Sequence, residues 1–524
     1  MSLNLITDRW LPVARRSGAT GTVRPSDLTD GWDDDPIVAL AFPRPDWNGA
    51  VTEFLIGLYA VAMPVEDRRH WVRRWRAPPT ADEIAEAMAP LAFAFEVAGE
   101  GPRCFQDIEP LEKASPVPIQ QLLIDAPGGN TLKLNQDLFV RRREDHVLPW
   151  AQAAAALITL QTYAPSGGAG HRTSMRGGGP LTTLVRPRRA DDEVRLFDLV
   201  HANAPRGHET PLLDERLFAW LGRAPTSEKG KVTTPEGLHP LHAFFGVPRR
   251  LRLEGDEAGA ASFRTLPNGT NYPSNAWAHP LSPYYEQKGE HLPYHPQPGQ
   301  PTYRDWTAAL ALGGRPAACV AAWHGGELGR EADADLLAYG YDMDNAKARA
   351  WHEQRAPLVL DEGTRAATAK MIDAAGEAAG ALRFAVKRAR YGQARPNETG
   401  YEVYLPDTVP KRACAEVGTT LELETEAVLR ALIALLGGGE VEAASVYLAW
   451  HQELRGVALR LFDREAGVGA TATDDLPLIV RARGALAAAF SHRGKVAGAM
   501  AIKERLKASA QARETAQAVM ESAR

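Results

Sequence analysis

A chain of 524 residues exceeds what one hydrophobic core usually organises, so two or more domains are expected. A formal net charge of -5 argues against a protein that coats nucleic acid by bulk electrostatics, and any phosphate contact is expected to be local. The 3 cysteines, Cys104, Cys319 and Cys414, are far apart in sequence, which argues against a disulfide framework and a cysteine zinc site. The opening MSLNLITDRW and the lack of a long apolar run predict a cytoplasmic protein without a membrane span.

Up to about Leu360 the sequence is rich in Pro and Gly, with short β-like runs at 3–6, 132–134, 181–185 and 251–253. In 48–62, Val51, Phe54, Leu55, Leu58 and Ala62 recur at helical spacing, and 150–163 reads as an Ala-rich helix. The stretch 266–303, crowded with Pro, Tyr, His and Asn, predicts a long ordered loop. This half therefore reads as a large, irregular mixed α/β domain over 1–360.

Beyond it, 363–391, 421–436, 441–465, 476–490 and 495–522 carry helical periodicity and predict a helical bundle over 361–524. Met371, Ala375, Ala378, Leu382 and Ala385 form the inward stripe of its first helix; Leu448, Ala449, Gln452, Leu459 and Phe462 form that of the third. The run Gly437-Gly438-Gly439 marks a turn between antiparallel helices. The fold class is α+β.

Enzyme motifs fail. The segment Pro165-Ser166-Gly167-Gly168-Ala169-Gly170-His171-Arg172 has no Lys where a phosphate-binding loop needs one, and its glycines do not fit G-x-G-x-x-G. There is no G-x-S-x-G and no H-E-x-x-H, and Asp342-x-Asp344-x-Ala346 lacks the third oxygen of a calcium loop. His279, His291 and His295 have no partnering carboxylate motif. The expectation is no catalytic residue, no metal and no cofactor. A stand-alone metal-dependent nuclease or hydrolase and a purely architectural subunit are the alternatives.

Ser166, Gly167, Gly168, Ala169 and Gly170 form a backbone that can press against another surface, with Arg172 and Arg176 placed to hold phosphates and a second turn at 177–180. The minor groove, with its degenerate code, is a natural target. Further basic patches lie at Arg141 to Arg143, at Arg186, Arg188 and Arg189, and at Arg249, Arg250 and Arg252. Residues 339–349, following a helical pattern at 333–338, read as a β-hairpin with a polar tip. Such a tip can wedge into a duplex while Lys347 and Arg349 hold phosphate.

Together these segments resemble the large subunit of the type I-E CRISPR Cascade complex, the CasA family. The resemblance is carried by NLITDRWLPV at 4–13, APSGGAGHRTSMRGGGP at 164–180 with the strand LTTLVR behind it, NAWAHPLSP at 275–283, and 340–349. It implies a mixed α/β domain followed by a C-terminal four-helix bundle. It also implies a non-catalytic subunit that reads the protospacer-adjacent motif (PAM) of double-stranded target DNA through the loop 166–170. Asp344, Asn345 and Ala346 would be the wedge that starts R-loop formation; Asn345 stands where a relative has glutamine.

The family's PAM-contacting lysine falls at Asn268, with Asn271 as a second donor. Leu134, Asn135 and Gln136 match the segment touching the 5′ handle of the guide RNA (crRNA). The implied partners are the guide RNA, the backbone, handle-binding and small subunits of Cascade, and the helicase-nuclease effector. Two C-x-x-C pairs that hold zinc in some relatives are missing near 148–151 and after Leu253.

Overall fold

The computed structural model describes residues 3–137, 146–191, 193–324, 328, 332–344, 347–359, 361–397, 400–439, 441–466, 476–507 and 509–523. The chain divides into two compact units. Met1–Pro298 and Gly313–Leu358 make one; Gly299–Leu312 and Val359–Arg524 make the other. The segment 299–312, placed by sequence in the first half, therefore belongs to the second unit.

In the first unit, β1 (Leu11–Arg15) pairs antiparallel with β2 (Thr20–Val23) and β3 (Ile37–Leu40). A second sheet joins β4 (Val117–Pro118), β7 (Ala260–Leu266) and β6 (Arg250–Gly255) in that order. A third has the order β11 (Lys347–Pro357), β10 (Ala334–Asp344), β5 (Thr182–Pro187), and β8 (Tyr284–Gln287) pairs with β9 (Glu290–Pro293). The helices are α1 (Pro45–Ala62), α2 (Arg68–Arg76), α3 (Ala81–Met88), α4 (Gly129–Lys133), α5 (Trp150–Tyr163), α6 (Leu196–Asn203) and α8 (Ala318–His324).

Helix α1 starts on Pro45, whose missing N–H costs nothing in a first turn, and Asp46 complements the positive helix end. It is buried almost all round, as expected of a helix apolar on every face, and packs against α5 and α6. One charged residue, Glu53, interrupts that apolar run. Beside α1, Phe54 touches Phe95 and Phe105, and Phe105 lies 4.7 Å from Trp220 between ring centroids, an aromatic core that also holds Phe218 and Phe245.

Several local expectations are corrected. Residues 132–134 end helix α4 and its turn instead of forming a strand, because Leu132 N closes a helical turn on Gly128 O at 3.1 Å. Residues 334–338, within the stretch read as helical over 333–338, are strand: Leu336 and Ala338 are buried while Leu337 between them is not, and β5 and β11 satisfy the backbone on both edges. The opening 3–6 makes a single bridge, Asn4 with Glu96, and the first ladder begins at Leu11. The long loop 266–303 contains the β8–β9 hairpin.

In the second unit, α9 (Glu362–Tyr391) packs with α10 (Ala415–Gly437), α11 (Ala443–Glu465), α12 (Leu476–Ala489) and α13 (Lys495–Ala499). Met371, Ala375, Ala378, Leu382 and Ala385 are all buried, as read from periodicity. On α11 the stripe is shifted: Leu454, Val457, Ala458 and Leu461 are buried, while Gln452 and Leu459 are only partly so. The helix expected over 495–522 is broken into α13, α14 (Lys503–Lys507) and α15 (Ser509–Ala523), with Ala501 in the left-handed region at φ 56.

A hairpin of β12 (Gln393–Asn397) and β13 (Gly400–Tyr404) follows α9. The segment 299–312 carries α7 (Trp306–Ala309) and inserts Tyr303, whose hydroxyl lies 2.9 Å from Thr425 Oγ1, while Thr302 Oγ1 donates to Glu422 Oε2 at 2.6 Å.

Candidate nucleic-acid interface

The glycine-rich loop leaves α5 at Ala164 and closes on itself. Gly167 N donates to His171 O at 3.1 Å, and His171 N to Gly168 O at 3.2 Å, so Gly168–Gly170 form one tight turn. Gly170 sits at φ +79, and a Cβ there would lie 2.5 Å from Asn268 Oδ1; glycine is required at this position. At Gly168 a Cβ would meet no atom of the described residues within 4 Å. Ser166, Gly167 and Gly168 are exposed. The loop is thus fastened on one side and open on the other.

The fastening runs through predicted site residues. Asn268, itself at φ 60, accepts from Ser227 N at 3.3 Å through its carbonyl, and Arg172 Nε donates to Ser227 Oγ at 2.9 Å. Asn268, Arg172 and the loop therefore form one patch. Asn271 is engaged through its carbonyl by Thr233 N at 2.8 Å.

Arg176 is a correction. Expected as a phosphate contact, it is 2% exposed and pairs with Glu53 of α1 at 2.6 Å. Its other nitrogen donates to Thr182 Oγ1 at 2.8 Å and Ser282 Oγ at 3.0 Å. Tyr163 and Thr182 hydroxyls complete the shell of the Glu53 carboxylate. A buried carboxylate must find a cation and donors, and the turn behind the glycine loop supplies them.

The same turn abuts the hairpin. Gly179, at φ +64, lies where a Cβ would come within 2.7 Å of Tyr341 Cβ and 2.8 Å of Met343 Cε on β10. Behind the hairpin, Gly49 of α1 makes room for Trp351, and Tyr341 Oη donates to Asp46 Oδ2 at 2.6 Å. The loop's frame and the root of the hairpin are therefore one packed body.

An open groove of about 1030 Å³ brings predicted segments together: Ser166, Gly167 and Gly168 of the loop, Gln136 of the expected RNA-handle segment, and Lys347 of the hairpin. Arg249 lines it as well. The Arg249 guanidinium donates to Pro165 O, its Nε has no hydrogen-bond partner among the described residues, and burial pushes its pKa down to about 10. Burial and Arg249 together hold His171 below the usual imidazole range. The floor of the loop is thus an uncompensated cation, suited to an anion above it.

Lys347 is exposed, whereas Arg349 is tied to Asp342 at 2.6 Å and Asp344 at 3.4 Å. The wedge residues Asn345 and Ala346, and the basic run Arg141 to Arg143, lie outside the described residues. Leu134 is exposed, and Asn135 adopts φ 51. Sequence reasoning missed Glu53, although a single acid inside an apolar helix signals a buried partner. It treated Arg249 only as one of a patch.

Among the described residues no helix is long and apolar enough to cross a membrane, and no group of three or more His, Cys, Asp or Glu is placed to hold a metal ion.

The family model for CRISPR-associated protein Cse1 matches residues 4–461. The fold is shared with Thermus thermophilus CasA (20% identity, TM-score 0.68, covering 93% of this chain and 98% of that one) and with Thermobifida fusca Cse1 (19%, TM-score 0.70, 96% and 98%). It is also shared with a chain of a CRISPR RNA-guided surveillance complex (17%, TM-score 0.61, 93% and 99%). This chain belongs to the CRISPR-associated Cse1 (CasA) family, the large subunit of type I-E Cascade.

Proposed function

We propose that this chain is the non-catalytic DNA-reading subunit of its complex. The loop 166–170 lies in the minor groove of PAM duplex, the hairpin tip at Asp344, Asn345 and Ala346 splits the first base pairs, and guide pairing carries the opening onward. The segment around Gln136 meets the 5′ handle of the guide RNA, the helical unit meets the small subunits, and the first unit presents a surface for the helicase-nuclease. The observation that carries this reading is the convergence of loop, Lys347 and Gln136 on one groove, with an exposed glycine face above the half-buried Arg249.

The test is target binding by the assembled guide-loaded complex across all flanking trinucleotides, with wild type, Gly168→Arg and Asn345→Ala. The first substitution enters open space and should leave the fold intact. Binding by wild type that depends on the flank, its loss in Gly168→Arg, and rescue of Asn345→Ala by a pre-opened target support the reading. Equal binding of all flanks by all three variants makes the chain a scaffold.

A further inference from the structure

Helix α2 carries a second cationic surface, which the groove does not include. Its sequence RRHWVRRWR puts Trp71 and Trp75 on one face, both buried and stacked with centroids 5.5 Å apart. The opposite face turns Arg68, Arg69, Arg73 and Arg76 to solvent. Arg74 points inward and donates to Met63 O at 2.5 Å. Among the described residues, no hydrogen bond or ion pair engages the side chain of Arg69 or Arg73.

Helix stability does not account for this arrangement. Arg68 and Arg69 occupy the first turn, where the helix dipole already presents positive charge. Arg69 and Arg73 are like charges at i,i+4, and Arg73 and Arg76 at i,i+3, spacings that repel. The resulting field reaches His70, which burial, Arg74 and Arg73 hold below the ordinary imidazole range against the opposing pull of Glu66 and Asp67. In a chain of net charge -5, this concentration of arginine on one face calls for an anionic partner.

The face also indicates which partner. Protein interfaces use arginine around a well-packed apolar or aromatic anchor, and this face offers none, because both tryptophans are turned inward and Val72 is half-buried. A phosphate backbone needs only the guanidiniums, which grip it in a planar fork. Position supplies the rest. α1 touches the hairpin at Gly49, and its other end packs through Tyr59 against His201, on which Trp71 of α2 stacks. From Gly49 to Ala62 the helix rises about 20 Å, roughly six base pairs of duplex.

We propose that the exposed face of α2 binds the phosphodiester backbone of duplex DNA about half a helical turn away from the groove; the choice of target DNA rests on the PAM-reading function proposed above. Two phosphate contacts, through Arg69 and Arg73, would steepen the salt dependence of binding by about two in logarithmic slope.

The experiment compares the assembled complex carrying wild type, Arg69→Gln/Arg73→Gln or Arg69→Lys/Arg73→Lys. Each binds targets whose PAM-side duplex extends about 4 or about 16 base pairs, at 50 and 200 mM salt, lengths that bracket the ~20 Å span. The long extension should strengthen wild-type binding at low salt, and wild type should lose about ten-fold more affinity across that salt range than the glutamine variant. The lysine variant should keep most of the gain, showing that charge and not folding is responsible.

If the glutamine variant gains as much from the extension as wild type does, the proposal is overturned. If it loses affinity equally on both lengths, or fails to load guide RNA, the face serves RNA or protein and the proposal is also overturned. Gly168→Arg separates the two readings: an extension gain that persists in the glutamine variant sinks this inference alone, while unchanged flank discrimination in Gly168→Arg sinks PAM reading alone.

Discussion

Replacing Arg176 with Met would strand the carboxylate of Glu53, which is 3% exposed. Tyr163 and Thr182 would still donate to it, but the cation at 2.6 Å would be gone and two further hydrogen bonds, to Thr182 and Ser282, would be lost. Breaking a buried pair from one side costs about 3–5 kcal/mol. For a cooperative unit of roughly 340 residues, an unfolding entropy of about 2.1 cal/mol/K per residue converts this to a drop of about 4–7 °C in midpoint. Glu53→Gln should destabilise too, and the double variant should lose less than the two single losses combined, with an interaction of at least about 1 kcal/mol. Thermal unfolding of the full chain followed by tryptophan fluorescence makes the measurement. An Arg176→Met midpoint within about 1 °C of wild type would refute the reasoning that this pair ties α1 to the frame of the loop.

Three further outcomes are expected. Burial lowers the pKa of His201 to about 3 and that of His242 to about 4. Below the unfolded value near 6.5 the unfolded chain binds protons that the folded one refuses, so the first unit should lose about 3 kcal/mol between pH 6.5 and 5; denaturant titrations with one midpoint at both pH values would contradict this. Gly179→Ala, at φ +64 against Tyr341 and Met343, should destabilise by about 1–3 kcal/mol, while Gly168→Ala stays within about 0.5, as read by the same titrations. Lys347→Ala should reduce the salt slope of target binding by about one, and Arg349→Ala by much less, because Asp342 and Asp344 already neutralise Arg349.

Long periodic stretches were legible from sequence: α5 spans the residues read for it, and the α9 stripe is buried as read. Periodicity failed where a segment is short and its partners are distant. Residues 333–338 look helical in isolation, but two neighbouring strands claim their backbone. The glycine loop was conspicuous because four small residues stand together. What it does locally was hidden, since Gly170 answers to Asn268, nearly a hundred positions away, and Gly168 answers to nothing. Arg176 was misjudged for the same reason. A charge beside glycines reads as surface until the acid that claims it, Glu53, is found on α1.

The path of the chain at 299–312 bears on how the protein can be taken apart. The backbone enters the helical unit at Gly299, leaves after Leu312 and returns at Val359, so that unit is not one continuous stretch of sequence. A fragment begun at residue 359 would lack Thr302, which caps Glu422, and Tyr303, whose ring lies 6.0 Å from that of Trp450. Glu422 would be left without that donor, and a large aromatic would be missing from the interior. On the ribosome, too, the piece that completes the helices is made before them, separated from them by the last strands of the first unit.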